Sequence, residues 1–167
     1  GPTMVADFTG VVIDNDELGG AASHSRYSGA ATLVAADLEQ AIEAAGQLLA
    51  YFPQRNDEEA PRWPTDDEIA RQTPEAGALI PASSTGSYDV RAVITALADD
   101  GDLLELRPRW AANVVTALTT IGGMPVGVVA NQPLALAGTL DIPASQKAAR
   151  FVATCDAFNL PIITLVD

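Results

Sequence analysis

Two adjacent amide side chains, Asn131 and Gln132, directly follow a stretch of small and β-branched residues that is typical of a buried strand. In α/β sheets, ligands gather at the carboxyl ends of the strands, and an amide group can both donate and accept hydrogen bonds. The pair is therefore predicted to line a binding pocket. Capping of the following loop explains the same two residues equally well.

A second group of candidate residues lies near the start of the chain. His24 is flanked by serines, so a Ser–His pair with the histidine as general base is one interpretation. Gly19 and Gly20 could present backbone N–H groups as an oxyanion hole. The sequence favours simpler roles for both, a loop histidine hydrogen-bonded to the backbone and a glycine stop of a short helix.

Three further side chains that could do chemistry lie on a predicted C-terminal helix. Cys155 falls on the apolar stripe of that helix, which predicts a buried structural thiol rather than a nucleophile. Lys147 and Arg150 could face a phosphate-bearing ligand, but exposed surface charges are the favoured interpretation. Neither a Gly-x-Gly-x-x-Gly motif nor a phosphate loop with Lys and Ser/Thr occurs in the sequence.

Composition excludes several classes of function. The chain has 167 residues and a net charge of −13, which disfavours binding to nucleic acid and to anionic membranes. A single cysteine rules out an internal disulfide, and a single histidine rules out the usual multi-histidine metal cages. No apolar run approaches the length of about 18–20 residues that a membrane-spanning helix needs.

The first half of the chain is predicted to carry mostly helix, joined to the second half by a linker. Asp37, with Gln40, predicts the start of an amphipathic helix over residues 38–52. Residues 53–87 are acidic and rich in proline, so they are interpreted as a linker with at most one short helix near 66–72. The remaining predicted elements are short strands at 11–13 and 29–35, a capped helical turn at 14–20, and a buried helix face of Leu38, Ile42, Ala45, Leu49 and Phe52.

The second half predicts an α/β fold. A helix from 87 to about 100 and a strand at 103–106 precede a hairpin of strands 113–121 and 124–130, which turns at Gly122 and Gly123. A helix from the N-cap Ser145 to Phe158 and an apolar strand at 162–166 complete a βαβ unit with parallel pairing. The buried stripe of that helix is predicted to be Ala148, Phe151, Val152, Cys155 and Phe158.

Several segments together resemble one enzyme family. Residues 17–29 contain Glu-Leu-Gly-Gly-Ala, then His24, then Ser-Gly, and residues 99–105 contain Asp-Asp-Gly followed by Glu105. Residues 123–133 read Gly-Met-Pro-Val-Gly-Val-Val-Ala-Asn-Gln-Pro, and residues 147–167 continue the match. This order of segments is similar to the carboxyltransferase (β) subunit of biotin-dependent acyl-CoA carboxylases.

The resemblance implies a fold and a domain organisation. It implies crotonase/ClpP-like ββα units within the α/β class. Residues 1–53 would be the C-terminal part of the carboxyltransferase N-domain, 54–87 an acidic proline-rich linker, and 88–167 the start of the C-domain. Because the family's oxyanion segments lie outside the matched motifs, the chain is expected to be the middle of a longer subunit and inactive alone.

The resemblance also implies a reaction and its partners. A carboxyl group would pass from carboxybiotin, carried on a partner domain, to an acetyl- or propionyl-type acyl-CoA. Gly19, Gly20 and His24 would lie on the acyl-CoA side, and Asn131 and Gln132 in the pocket of the C-domain. A biotin carboxylase/biotin carrier subunit, a homo-hexamer and a cytoplasmic location are expected. A biotin-dependent acyl-CoA decarboxylase subunit and a non-catalytic scaffold or interaction domain remain alternatives.

Overall fold

The computed structural model describes residues 1–83 and 85–167, and it has the mixed α/β architecture that the sequence predicts. In this described part, no helix is long and apolar enough to cross a membrane. The helices are α1 (Pro2–Thr9), α2 (Asn15–Gly19), α3 (Ala21–Ser23), α4 (Leu38–Ala50), α5 (Pro74–Ala78), α6 (Val90–Leu97) and α7 (Ile142–Ala157). A π-helical turn (His24–Ser28) follows α3, and 3₁₀ turns lie at Asp99–Gly101 and Leu136–Gly138.

The second half forms a four-stranded sheet in the order β1 (Leu104–Glu105), β2 (Val114–Ile121), β3 (Met124–Asn131) and β4 (Ile162–Leu165). β2 and β3 form the predicted hairpin, in which Ile121 pairs with Met124 and both turn glycines have positive φ. β3 and β4 pair in parallel, joined by α7, so the predicted βαβ unit is confirmed.

The sheet has a hydrophobic cluster on each face. Ala117 and Leu118 are neighbours on β2 and point to opposite faces, as adjacent strand residues must. The α6 side holds Val90, Ile94, Val115, Ala117, Val126, Val128 and Ala130. The α7 side holds Tyr51, Leu106, Leu118, Phe151, Cys155 and Leu160, so a residue from just beyond α4 joins the core of the second half.

The α4 prediction is right about the start of the helix and wrong about its buried face. The Asp37 carboxylate accepts a hydrogen bond from the Gln40 N–H at 2.9 Å, which makes Asp37 the N-cap. Three of the predicted core side chains are exposed, Leu38 by 76%, Ile42 by 65% and Leu49 by 70%, whereas Phe52, just beyond the helix, packs against the α7-side cluster. The reason is that the described chain places no element over the part of this face around Leu38 and Ile42.

The start of α7 is also corrected. Asp141, not Ser145, is the N-cap, and its carboxylate accepts a hydrogen bond from the Ala144 N–H at 2.9 Å. Pro143 lies in the first turn, where its missing N–H costs no helical bond, so the helix starts earlier than the proline suggests. The buried residues of the helix are Ala144, Lys147, Phe151 and Cys155, whereas Val152 is exposed.

Two predicted strands are absent from the described chain. Residues 11–13 and 29–35 are both irregular, because neither short apolar run finds a strand to pair with. The backbone of the second run instead bonds to Arg107 in the other half. The Arg107 N–H donates to the Thr32 carbonyl at 2.9 Å, and its Nε donates to the Gly29 carbonyl at 2.7 Å. β4 forms as predicted but lies at the sheet edge and is only partly buried.

The acidic connection is anchored on the second half through residues 63–71, which we call the strap. The Trp63 N–H donates to the Gly123 carbonyl at 2.8 Å, and the Asp67 carboxylate accepts from the Asp100 N–H at 2.9 Å. Arg71 donates to three carbonyls at the end of α6. The short helix predicted near 66–72 is wrong, since this stretch makes tertiary contacts instead and the helix lies at Pro74–Ala78.

Candidate functional site

Gln132 directly follows β3, and both polar atoms of its amide bond to other groups of the protein. The side chain is only 1% exposed, and Nε2 donates to Asp89 Oδ1 at 2.6 Å. Oε1 accepts the backbone N–H groups of Val90 and Leu134, each at 3.4 Å. Gln132 therefore ties the first turn of α6 to the loop that follows β3.

The acceptor of that bond, Asp89, is held in its charged form. Burial would raise the pKa of its carboxyl, but hydrogen bonds from Gln132 and Arg91 outweigh burial and lower it. Arg91 also donates to both carboxylate oxygens of Glu105, with a distance of 2.9 Å for the Nη2–Oε1 bond. The glutamate of the Asp-Asp-Gly segment thus connects α6 to β1.

Asn131 supports the same loop, and one of its two polar atoms has no partner in the part of the chain that the structure describes. Its Nδ2 donates to the Gly138 carbonyl at 2.6 Å. Gly138 has a φ of 69°, and a Cβ there would lie 3.3 Å from the Cβ of Asn131, so the loop folds tightly back on the strand end. Within the described residues, Asn131 Oδ1 accepts no protein hydrogen bond, which leaves it available to a ligand.

The predicted N-terminal group also comes together. His24 Nδ1 lies 2.9 Å from Ser28 Oγ, and a Cβ built on Gly19 would lie 3.8 Å from His24 Nε2. A Cβ on Gly20 would lie 2.6 Å from the Asp16 carbonyl, so the tight junction of α2 with α3 requires glycine there. His24 is exposed and begins the π-helical turn, an irregularity that is frequent at functional sites.

The two predicted groups remain separate. In the described part of the chain, no hydrogen bond or ion pair joins residues 17–28 to residues 131–138. The described residues also contain no group of three or more His, Cys, Asp or Glu side chains placed to hold a metal ion.

Lys147 corrects the prediction of an exposed surface charge. It is the sole lysine of the sequence and is 0% exposed. Its Nζ donates to the Val114 carbonyl at 2.7 Å and to the Ala111 carbonyl at 3.4 Å, and burial lowers its pKa to about 8. The sequence signal was its spacing, because Lys147 lies four residues before Phe151 and eight before Cys155, on one helix face.

The other two helix residues agree with their predictions. Arg150 is exposed, and its guanidinium lies 5.6 Å from the centroid of the Trp110 ring. Cys155 is a buried thiol whose pKa burial raises to about 11, which excludes a thiolate nucleophile at neutral pH.

Comparisons with known proteins agree with this architecture. The model of the carboxyl transferase domain family matches residues 1–167. The chain is 44% identical over 174 aligned residues to the biotin-dependent acetyl-/propionyl-coenzyme A carboxylase beta5 subunit of Mycobacterium tuberculosis strain CDC 1551 / Oshkosh. It is 38% identical over 167 residues to the methylmalonyl-CoA decarboxylase subunit alpha of Propionigenium modestum. Both alignments cover the whole chain and 32% of the relative, so the chain spans about a third of the relatives' length.

The fold itself is that of a solved carboxyltransferase. The crystal structure of transcarboxylase 12S, a hexamer with hydrolysed methylmalonyl-coenzyme A bound, superposes with a TM-score of 0.96 at 43% identity, over the whole chain and 32% of the solved one. The predicted crotonase-like α/β class is thereby confirmed. These matches, which extend over every residue, place the chain in the carboxyl transferase domain family.

Proposed function

We propose that this chain is part of the carboxyltransferase subunit of a biotin-dependent acyl-CoA carboxylase. The observation that carries the proposal is the superposition of the whole chain on transcarboxylase 12S, which has methylmalonyl-coenzyme A and methylmalonic acid bound in a second crystal structure. The parent subunit would transfer a carboxyl group from carboxybiotin to the α-carbon of an acetyl- or propionyl-type acyl-CoA. Biotin, held on a biotin carboxylase/carrier partner, would supply the activated carboxyl group.

The side chains described above divide into positioning groups and candidate contacts. Gln132 is buried and both of its amide atoms already bond within the protein, so we assign it the role of fixing the loop after β3. Gly20 likewise shapes the α2–α3 junction. Asn131, through Oδ1, and the exposed Gly19 and His24 remain the predicted contacts for substrate.

We further propose the domain organisation 1–53, 54–87 and 88–167 for the N-domain part, the linker and the C-domain part. The sheet and both hydrophobic clusters lie mostly within 88–167, which supports a boundary before α6. The exposed apolar face of α4 supports further packing of the first part against protein. A homo-hexameric parent in the cytoplasm, with acyl-CoA and the biotin carrier as partners, completes the proposal.

The experiment is a carboxylation assay of the parent subunit with its biotin carboxylase/carrier partner, using acetyl-CoA and propionyl-CoA. We expect Gln132→Glu to reduce turnover at least about tenfold, because a second carboxylate would then face Asp89. Gln146→Glu, on the exposed side of α7, is the matched control and should retain activity. Full activity of the Gln132 variant would contradict its positioning role, and the 167-residue chain alone should carry out no carboxylation.

The decarboxylase reading is a second candidate, favoured by the 38% identity to the Propionigenium modestum subunit over the whole chain. Both enzymes share the carboxyltransfer step, so the carboxylation assay does not separate them. Sodium transport coupled to methylmalonyl-CoA decarboxylation by the membrane-reconstituted complex would favour the decarboxylase. A parent subunit that neither carboxylates nor decarboxylates would instead support the scaffold alternative.

A further inference from the structure

An apolar cavity of about 640 Å³ lies between the end of α4 and the side of α7. Its walls include Leu48 and Phe52 from the α4 side, and Phe151 and Phe158 from the α7 side. The rings of Phe52 and Phe158 meet edge to face, with 5.1 Å between their centroids. A cavity of this size and lining falls within the range of about 300–1,000 Å³ that is usual for small-molecule sites.

Arg107 is the one charged side chain among the residues that line this cavity. Its Nε donates to the Gly29 carbonyl at 2.7 Å, which leaves the two terminal nitrogens for another acceptor. Burial lowers the pKa of Arg107, and the nearby positive charge of Arg150 lowers it further. Arg107 in the cavity wall and the exposed Arg150 outside it therefore place two like charges near each other.

No carboxylate of the described chain neutralises this pair. The salt bridges among residues 1–83 and 85–167 involve Arg55, Arg71 and Arg91, and none involves Arg107 or Arg150. The chain has 22 acidic residues and a net charge of −13, so acidic partners are abundant elsewhere on the molecule. A cationic cavity edge in such a chain favours an anionic ligand.

The loop that carries Arg107 is held in a strained conformation. Arg107 and Ala111 have φ values of 56° and 47°, a left-handed geometry that costs a non-glycine residue on the order of 1 kcal/mol or more. The buried Lys147 binds the Ala111 carbonyl, and Trp110 packs so closely on Gly29 that a Cβ there would lie 2.1 Å from the indole. These contacts fix the direction in which Arg107 enters the cavity.

We propose that the cavity binds a medium-chain carboxylate, with its alkyl chain among the phenylalanines and its carboxylate on Arg107. Arg150, held over the Trp110 ring, adds to the positive potential at the carboxylate end. The inference goes beyond the proposed function, because such a ligand needs neither a thioester nor biotin. The two proposals can fail independently. A parent subunit without carboxyltransferase activity would not contradict carboxylate binding in the cavity, and a cavity that binds no carboxylate would not contradict the carboxyltransferase function.

The test is a calorimetric titration of the 167-residue chain with sodium decanoate. We expect decanoate to bind saturably at one site. Decanol has the alkyl chain without the charge, and acetate has the charge without the alkyl chain, so each should bind at least about tenfold more weakly than decanoate. Arg107→Gln should weaken decanoate binding at least about tenfold, whereas the matched control Arg62→Gln, at an exposed arginine without a salt bridge in the described chain, should not.

A second variant tests the cavity without touching the arginines. Thr154 lies exposed on α7 and lines the cavity, so Thr154→Trp should fill it and abolish decanoate binding while the chain stays folded by circular dichroism. Decanoate affinity that is unchanged in either cavity variant, equal affinity for decanol, or no binding of decanoate would overturn the proposal. Binding of decanoyl-CoA without binding of decanoate would overturn it as well, by assigning the cavity to a thioester.

Discussion

The buried amine of Lys147 makes the stability of this protein depend on pH in an unusual direction. Burial lowers its pKa from 10.5 to about 8 in the folded chain. Between these pH values the unfolded chain binds more protons than the folded chain, so the free energy of unfolding rises with pH. At about 1.4 kcal/mol per pH unit, the lysine contributes a destabilisation of about 3 kcal/mol below pH 8, which is relieved as the pH approaches 10.5.

Lys147→Met removes the titrating group from the same buried position. The difference in unfolding free energy between the parent chain and this variant, measured by urea denaturation, should therefore change by about 3 kcal/mol between pH 7.5 and 10.5. The sign is fixed, because the parent chain must gain stability relative to the variant as the pH rises. Tyr51, Tyr88 and Cys155, whose pKa values burial raises, titrate in both proteins and cancel in the difference.

A direct measurement uses the fact that the sequence has one lysine. Labelling lysine with ¹³C at Cε gives a single side-chain resonance, whose pH titration should have its midpoint near 8 in the folded chain and near 10.5 in urea. A folded-state midpoint close to 10.5, or the same pH dependence of stability with and without the amine, would refute the argument from burial.

Three further predictions concern other buried or crowded positions. Gly20→Ala should lower the free energy of unfolding, measured by heat or urea, by about 1–3 kcal/mol, because its Cβ would lie 2.6 Å from a backbone oxygen of α2. A Cβ on Gly19 has room, so Gly19→Ala should lower the free energy of unfolding less. Asp99→Asn should lower the free energy of unfolding by about 2 kcal/mol in the same assay, because the carboxylate accepts hydrogen bonds from the N–H groups of both hairpin glycines. Asp100→Asn, at an exposed side chain, should have little effect. Cys155 should react with a disulfide reagent at pH 8 roughly 100-fold more slowly in the folded chain than in urea, and equal rates would show that the thiol is accessible.

The sequence predicted the second half of the fold well because its signals are local. The hairpin follows from β-branched strands around two glycines, and the βαβ unit follows from an apolar helix stripe between two apolar strands. The start of α4 was also predictable, since its N-cap lies within a few residues of the helix. Two of the segments that resemble the carboxyltransferase family, 123–133 and 147–167, lie on the hairpin and the βαβ unit.

The errors arose where tertiary contacts decide the outcome. Periodicity locates the apolar stripe of α4, but it does not show that the described chain leaves Leu38, Ile42 and Leu49 exposed. Lys147 was assigned to the surface from its residue type, although the carbonyls of Ala111 and Val114, more than thirty residues earlier in the chain, accept its hydrogen bonds. The position of Gln132 after a buried strand indicates a role at the strand end, but its partner Asp89 lies 43 residues earlier in the chain and is identified only by the structure.

Because the strap is anchored, the number of residues in the connection does not set the distance between the two halves. In a flexible tether, the mean distance between the ends grows with roughly the square root of the number of residues. Here the hydrogen bonds of Trp63, Asp67 and Arg71 fix the middle of the connection on the hairpin and on the end of α6. Residues inserted between Arg71 and α6 would therefore form a slack loop on the surface, and the reach of the first half from the sheet would be set by the short segment before the strap.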